Sequence, residues 1–369
     1  MKTLIILENS VAFTGAFRCA IQEAHMLSEN VRVVFVVPTG SSVIPYIQEQ
    51  GFTYYTLPYK EISRSISALL LYPLYLVRNS ISLHRIVKKE KASWIQVNDF
   101  YNLLGAVMKC TGYRGKLWTW VRFLPIVIPK PLRRLWIGAA MRWSDHIIAV
   151  SDAVKNQLPE HEKIKRIYDP VVLSEKHELM ARNSSLIECL YLANYIQGKG
   201  QDYALEAFAL AYRENPKLRL RFAGGDMGLQ KNRLYKNKLI QRAQELQLTD
   251  KVTFNTFCDD VEKAIKSADI FLNFSDAESF SLTCLEASYY GTPVIATRCG
   301  GPEEIIAHEQ SGILVPRGDI HAMKDALLYL AQHDHIRRQF AAYGKKYVQE
   351  KFSQAIFQQE MKTLLNDSE

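Results

Sequence analysis

Short β-rich runs alternate with stretches of helical periodicity along almost the whole chain, and this alternation limits the fold more than any other feature. In the first half "TLIIL" leads to "FRCAIQEAHMLSE" and then "VRVVFVV"; later come "WIQV", "LWTWV", "HIIAVS" and "IKRIYDP". The second half repeats the logic with "IECLYLA", "QDYALEAFALAYREN", "LRLRFAGG", "KNKLIQRAQELQL", "KVTFNTF", "VEKAIKSA", "DIFLNF", "SLTCLEASYY", "TPVIAT" and "SGILV". Strands separated by helices pair in parallel through crossovers, which leaves helices covering the sheet. The 369 residues exceed what one hydrophobic core organises. The expectation is an α/β chain of two doubly wound, Rossmann-like parallel-sheet domains. Periodicity lapses in "YDPVVLSEKHELMARNSS", so the expected division is 1–167, a linker at 168–186 and 187–352, with a C-terminal helix at about 353–369 packing back on the first domain. Ligands of open α/β sheets bind beyond the carboxyl ends of the strands. The expected site is therefore an interdomain cleft, and the informative loops are those that follow strands.

Composition excludes several classes. No stretch reaches the roughly 18 apolar residues of a spanning helix; "ISALLLYPLYLV" comes closest, with twelve residues and a proline inside. The run in "MKTLIILENS" is too short for a signal-peptide core and reads as a first strand. The six cysteines form no C-x-x-C pair, and no histidine cluster has metal-ligand spacing, so reduced, mostly buried thiols in a cytoplasmic protein are expected. Charge is uneven. Residues 60–142 carry 15 basic against 3 acidic side chains, whereas 181–369 carry 23 against 24. That asymmetry points to an anionic partner for the first half.

Two loops carry the chemistry. In "LYLANYIQGKGQDYALEAF" a strand runs into Gly198, Lys199 and Gly200 and then a helix. A helix N-terminus plus an ammonium suits a diphosphate, although the same residues also make a solvated lysine in a glycine turn. The loop is neither a Walker A motif nor a dinucleotide fingerprint. In "SDAESFSLTCLEASYYGTPVIAT" a helix is expected from about Phe280 to Tyr290, ended by Gly291 and Pro293. Glu278 then lies just before the helix and Glu286 on it, roughly 7.5 Å along the axis from Ser281 at 1.5 Å per residue. A carboxylate accepts two hydrogen bonds at once and so matches a vicinal diol. The alternative is a helix-start charge at Glu278 and a surface ion pair at Glu286.

The segment "SDAESFSLTCLEASYYGTPVIATRCGGPEEIIAHEQSGILV" resembles the donor-binding region of family 4 retaining glycosyltransferases of the GT-B fold, whose signature is two glutamates separated by seven residues. "YLANYIQGKGQDYALEAF", "RFAGGD", "VTFNTFCDDVEKAIKSADIFLNFSDAES" and "IIAVSDAVKNQL" are similar to the elements leading to it, so the resemblance covers about 145–352 and is weak before that. It implies that Glu278 contacts the transferred sugar and supports catalysis, that Lys199 neutralises the diphosphate and that Glu286 holds the ribose. It further implies that Ser279, Phe280, Ser281 and Leu282 reach phosphate, in part through their backbone. Glu304 in "GGPEEII" matches a family position of open role. In "ENSVAFTGAFRCAIQEAHML", Thr14-Gly15 stands where the family places a Gly-Gly pair against donor phosphate.

There are departures. Ala193-Asn194 replaces the family's Gly-Arg, so Asn194 faces phosphate without charge, with Arg221, Arg298 or an N-domain arginine as possible substitutes. Glu278 is followed by Ser-Phe-Ser where the family prefers Gly-Phe-Gly. "WIQVNDFYN" lacks the family's histidine, which leaves Asn98, Asp99 and, further on, Arg122 as acceptor-site candidates; a helix N-cap is the other reading of Asp99.

The resemblance implies transfer of a hexose or N-acetylhexosamine from a nucleotide-sugar, UDP favoured and GDP second, to a glycan or lipid-linked oligosaccharide, with retention. The nucleotide-sugar is a co-substrate, and no other cofactor is expected. No Asp-x-Asp motif appears, so metal-independent chemistry is expected. "RFLPIVIPKPLRRLWIGAAMRW" and "YKEISRSISALLLYPLYLVRNSISLHRIVKK" mix basic, aromatic and apolar residues, which suits peripheral binding to the anionic inner face of the cell membrane; the alternative is a domain core with a charged rim. No nucleic-acid motif accompanies the charge. The competing readings are a non-catalytic GT-B partner subunit, favoured by Asn194 and Thr14, and a GT-B nucleotide-sugar epimerase. A dehydrogenase would need G-x-G-x-x-G after the first strand, which is absent.

Overall fold

The computed structural model describes residues 1–59, 66–172 and 185–367. The chain divides into two compact units, Met1–Asp169 with Ala355–Glu369, and Pro170–Gln354. Most of the expected linker falls on 173–184, outside the described residues.

The first unit is built on seven strands: β1 (Lys2–Leu7), β2 (Val31–Pro38), β3 (Thr53–Leu57), β4 (Ala92–Val97), β5 (Lys116–Val121), β6 (His146–Ala149) and β7 (Ile164–Arg166). They lie in the order β3-β2-β1-β4-β5-β6-β7, and every pairing is parallel. Chain direction across the sheet reverses between β1 and β4, the position at which such folds open a crevice. β1 is an interior strand, and Leu4, Ile5, Ile6 and Leu7 are fully buried because helices cover both faces. β3, "TYYTL", is not among the apolar runs read from the sequence. It is a five-residue edge strand with only Leu57 buried, so its hydrophobic signal is weak. The helix Gln354–Asn366 completes this unit by burying Phe357, Met361 and Leu364, and the Phe357 ring stacks on Trp120 at 6.5 Å.

The twelve-residue apolar stretch is the first half of a 25-residue helix, Ile66–Glu90, which continues through Pro73. Tyr72, Tyr75, Leu76 and Asn79 share one face at helical spacing. Leu71, Leu74, Val77 and Ile81 form the opposite face and are 40%, 65%, 57% and 52% exposed. Among the described residues no helix is long and apolar enough to cross a membrane.

The second unit has six parallel strands, β8 (Ile187–Leu192), β9 (Leu218–Ala223), β10 (Val252–Phe254), β11 (Ile270–Asn273), β12 (Val294–Thr297) and β13 (Gly312–Val315), in the order β10-β9-β8-β11-β12-β13. All residues of β11 and β12 are buried. The helix Gln201–Glu214 packs Leu205 and Phe208 into the core, and Ile320–Gln332 adds Met323 and Leu327. Here the reversal lies between β8 and β11, and the loops that leave those two strands carry the glycine-lysine turn and the paired glutamates.

Candidate active site

After β8 the chain turns at Gly198 (φ 90°) and Gly200 (φ 74°), with Lys199 between them, and Gly200 caps the helix Gln201–Glu214. Only glycine fits at 200: the conformation is left-handed, and a Cβ there would lie 2.0 Å from the Phe274 carbonyl oxygen. The close approach locks this loop onto the one after β11. Asp276 N–H donates to Gly198 O at 2.9 Å. The buried Tyr191 hydroxyl donates to Lys199 O and accepts from Phe274 N–H at 2.7 Å.

The two loops meet in one ion pair. Lys199 Nζ lies 2.8 Å from Glu278 Oε1, with the lysine side chain 33% and the glutamate 14% exposed. Ser275 Oγ donates to the same carboxylate oxygen at 2.8 Å. Burial alone would lower the Lys199 pKa, but the Glu278 charge and hydrogen bond outweigh it and hold the ammonium above its ordinary value. The backbone of Glu278 is also pinned: its N–H donates to Cys299 O at 3.1 Å, and its carbonyl accepts from Gly301 N–H at 2.9 Å. Lys199 and Glu278, 79 positions apart in sequence, are thus held as one charged pair at the carboxyl ends of β8 and β11.

The helix after Glu278 runs Leu282–Tyr289, two residues shorter at its start than the sequence reading, because Ser281 takes φ 86° and ψ 78° as its N-cap. A serine in the left-handed region is strained, and this is a position where the resembling family prefers glycine. Asn273 Nδ2 restrains it with a 3.0 Å bond to Ser281 Oγ. The first N–H groups of this helix have no intrahelical acceptor. Gly291 takes φ 77° beyond the other end, as a helix-terminating glycine does. The Phe280 side chain is core, 2% exposed and edge-on to Phe352 at 5.3 Å, so only its backbone is in position to serve a ligand. Glu286 is 4% exposed, which removes the surface ion pair as its explanation. Ser279 lies in the loop between Glu278 and this helix.

Asn194 accepts from Gly225 N–H through Oδ1 at 3.1 Å. That bond fixes the amide, so the Nδ2 group is the edge left to donate. Its backbone carbonyl is held by the buried Gln201 Nε2 at 2.9 Å. Of the substitute cations, Arg221 is engaged elsewhere, its Nη2 bonded to Ala264 O and Ser267 Oγ at 3.0 and 2.6 Å, whereas Arg298 is 44% exposed with its Nη1 3.7 Å from Glu303. The Glu304 carbonyl accepts from Lys351 Nζ at 2.7 Å within the second unit. The sequence reading does not single out Tyr191, Gln201, Asn273 or Ser275; Ser275 meets Glu278 from three positions before it, and the other three reach the site through hydrogen bonds between separate elements.

The remaining candidates lie in the first unit. Thr14 caps the helix Gly15–Leu27, accepting from Phe17 N–H at 3.2 Å, and Gly15 is its first residue. Ser10 Oγ lies 2.8 Å from Thr14 Oγ1 and 2.7 Å from Glu8 Oε1. Asn98, Asp99 and Arg122 form a buried network, and Asp99 is not a helix N-cap. Arg122 Nε donates to Asn98 Oδ1 at 2.9 Å and Nη1 to Asp169 Oδ1 at 2.5 Å, and Nη2 is 3.8 Å from Glu23. The guanidinium sits 4.2 Å over the Trp120 ring, and Asn98 Nδ2 donates to Glu8. Asp99 Oδ1 accepts the backbone N–H groups of Phe100 and Arg122 at 2.9 and 3.3 Å. These side chains brace the ends of β4 and β5 against each other. The open cavity nearby is lined instead by Asn9, Tyr101 and Asn102.

Burial pushes the Glu23 carboxyl up to about 7 against the pull of Arg122 and Gln96. It pushes Asp99 to about 7 against its two backbone N–H donors. Both groups bind a proton more readily folded than unfolded, so their effect on stability grows as pH falls through 7 and is complete below the ordinary carboxylate range. Burial shifts His146 downward and opposes this below its ordinary value. The expected result is a melting temperature of the first unit that rises from pH 8 to pH 6, by an equivalent of about 2 kcal/mol. Glu23→Gln should flatten part of the rise; a calorimetric profile that falls over this interval would contradict the assignment.

Comparison with known proteins follows the same lines. Residues 175–347 match the family model described as Glycosyl transferases group 1. The N-acetyl-alpha-D-glucosaminyl L-malate synthase of Bacillus anthracis is 24% identical over 339 residues, 85% of each chain. The D-inositol 3-phosphate glycosyltransferase of Saccharomonospora viridis is 34% identical over 159 residues, 41% of this chain and 36% of that one. In structure, Anabaena HepE solved in complex with UDP and glucose superposes with a TM-score of 0.84 at 18% identity, covering 99% of this chain and 100% of that one. The Thermosynechococcus elongatus sucrose-phosphate synthase gives 0.82 at 18% identity, covering 100% and 99%. With two parallel-sheet Rossmann-like units and these matches together, the chain has the GT-B fold, and its residues 175–347 carry the match to the group 1 glycosyltransferases.

Proposed function

We propose that this glycosyltransferase moves a hexose or N-acetylhexosamine from a UDP-sugar to a glycan or lipid-linked oligosaccharide, with retention of anomeric configuration and without a metal ion. The observation that carries this reading is the Lys199–Glu278 pair, 2.8 Å apart, beside the N-termini of the helices Gln201–Glu214 and Leu282–Tyr289. As the bond from the anomeric carbon to the diphosphate oxygen breaks, negative charge grows on the diphosphate and positive charge on the ring. Lys199 and the two helix N-termini answer the first, in place of a metal; Glu278 answers the second. The acceptor hydroxyl forms the new bond on the face the diphosphate leaves, and its proton passes to a diphosphate oxygen. Asn194 Nδ2 contributes an uncharged hydrogen bond, and Glu286 accepts from the ribose hydroxyls. UDP is favoured over GDP because HepE, of the same fold, was solved with UDP and glucose.

A thermal-shift series with UDP-, GDP-, ADP- and dTDP-sugars tests the donor, since a ligand of the folded state at 100 times its Kd adds about 2.7 kcal/mol. The UDP-sugar is expected to raise the melting point most. Transfer from it should persist in EDTA and give a product of unchanged anomeric configuration by proton NMR. Loss of activity in EDTA would remove the metal-independent mechanism, an inverted product would remove retention, and no turnover with any donor would favour a non-catalytic subunit.

The exposed apolar face of Ile66–Glu90 is matched by Ile126, Val127 and Leu135, which are 65%, 48% and 54% exposed and lie close in sequence to Lys130, Arg133 and Arg134. Apolar side chains beside basic ones suit an anionic lipid surface. Co-flotation with vesicles containing anionic lipid, and not with neutral ones, is expected; absence of co-flotation would leave the protein without this partner.

A further inference from the structure

Serine is among the preferred residues at a helix N-cap. In that role its backbone is extended, and its hydroxyl accepts from the second or third N–H of the helix. Ser281 stands at the N-cap of Leu282–Tyr289 and does neither. Its backbone is left-handed, at φ 86° and ψ 78°, and no side chain caps the helix. The first intrahelical bond runs from Leu285 N–H to Ser281 O at 3.1 Å, so the N–H groups of Leu282, Thr283 and Cys284 precede the ladder.

One side chain accounts for this. Asn273, the last residue of β11, is 4% exposed. Its Oδ1 accepts from Ser275 N–H at 3.2 Å. A backbone N–H can only donate, so that bond fixes the amide and turns Nδ2 towards Ser281, whose Oγ accepts at 3.0 Å. The thiol of Cys284, fully buried, is hydrogen-bonded to both side chains. The Ser281 hydroxyl is therefore engaged by β11 and by the interior, not by the first turn of its own helix. Nothing in serine itself favours the left-handed region. Released from Asn273, it can return to the extended backbone in which serine caps, with its hydroxyl on Thr283 or Cys284 N–H.

We infer that Asn273 is a positioning residue for the proposed transfer: it draws the Ser281 hydroxyl away from the helix, so that the first-turn N–H groups stay open to the donor diphosphate. The inference rests on the glycosyltransferase reading for the diphosphate, but its test does not depend on turnover. Ser275 also donates to Glu278 Oε1 at 2.8 Å, so a variant that released Ser275 would disturb the charged pair as well. Asn273→Thr avoids this. A threonine hydroxyl can still accept from the N–H two residues on, but it has no amide to reach Ser281.

Titration calorimetry of the natural chain with UDP, GDP, ADP and dTDP selects the tightest diphosphate as the probe, and NMR titration with its nucleoside supplies the control. In Asn273→Thr the diphosphate affinity should fall about tenfold, since one hydrogen bond to a charged group is worth at least that, and the nucleoside affinity should not change. In a Ser281→Gly background there is no hydroxyl to draw away and no strain at positive φ. Whatever affinity that background starts from, adding Asn273→Thr to it should cost less than about twofold. Melting temperatures follow folding, and Asn273→Ser repeats the cycle if the threonine variant does not fold. An equal loss in the two backgrounds, an equal loss of diphosphate and nucleoside affinity, or an unchanged diphosphate affinity would overturn the inference. Sugar transfer by the natural chain would then leave the glycosyltransferase reading intact. No binding of any of the four diphosphates by the natural chain would overturn both.

Discussion

Arg122→Leu is expected to destabilise the first unit by about 3–5 kcal/mol, the cost of breaking a buried ion pair from one side. Arg122 is 4% exposed in its side chain, and its partners Asp169 and Glu23 are 6% and 1% exposed. Leucine fills much of the volume but leaves the Asp169 carboxylate in a medium that cannot solvate it and removes the pull that holds the Glu23 carboxyl down to about 7. It also removes the bond to Asn98 Oδ1 and the contact over the Trp120 ring. The triple variant Arg122→Met, Glu23→Gln, Asp169→Asn should regain most of the loss, because neutral replacement of a whole buried network is often close to neutral in free energy. Urea denaturation measures both. A loss below about 1 kcal/mol in the single variant would mean that water reaches the network as it does a surface pair.

Lys199→Ala is expected to lower kcat by about 10²–10³ with a smaller change in KM, the range seen when one preorganised group that meets transition-state charge is deleted. The reason is timing: in the proposed transfer the diphosphate would gain its extra charge as the bond to the anomeric carbon breaks, so the ammonium would be worth more in the transition state than in the bound substrate. Folding should barely change, since the lysine is a third exposed and Glu278 keeps the Ser275 hydroxyl. Glu278→Gln preserves shape and the serine contact but removes charge, and should also fall mainly in kcat. The double variant should lose less than the product of the two single losses, because the groups act on the same charge separation. If Lys199→Ala instead raises KM with kcat intact, the lysine serves binding alone.

The placement of the candidate site residues in the second unit is largely legible in the sequence because it rests on local rules. Glycines at 198 and 200 around a lysine before a helix, and glutamates at 278 and 286 flanking a helix start, are short-range patterns that backbone geometry converts directly into positions. The alternation of strand and helix periods likewise gave two parallel sheets, since a crossover helix between parallel strands leaves few other arrangements. Where local signal was thin the reading failed or slipped. The five-residue edge strand β3 has one buried side chain, and the helix after Glu278 begins late because Ser281 adopts a conformation that serine propensity disfavours.

The first unit shows the other side. Asn98, Asp99 and Arg122 looked like groups offered to an acceptor, yet Asp169, 47 positions beyond Arg122, and Glu23, on the helix Gly15–Leu27, reach Arg122 and join the buried network. The cavity beside it draws Asn9, Asn79, Tyr101 and Trp136 from four separate segments that nothing along the chain links to one another. Periodicity and turn chemistry act between residues a few positions apart and can be read along the chain. Charge pairing and the shape of a hollow depend on which distant side chains the sheet brings within a few ångströms, and that is settled only when the strands have found their order.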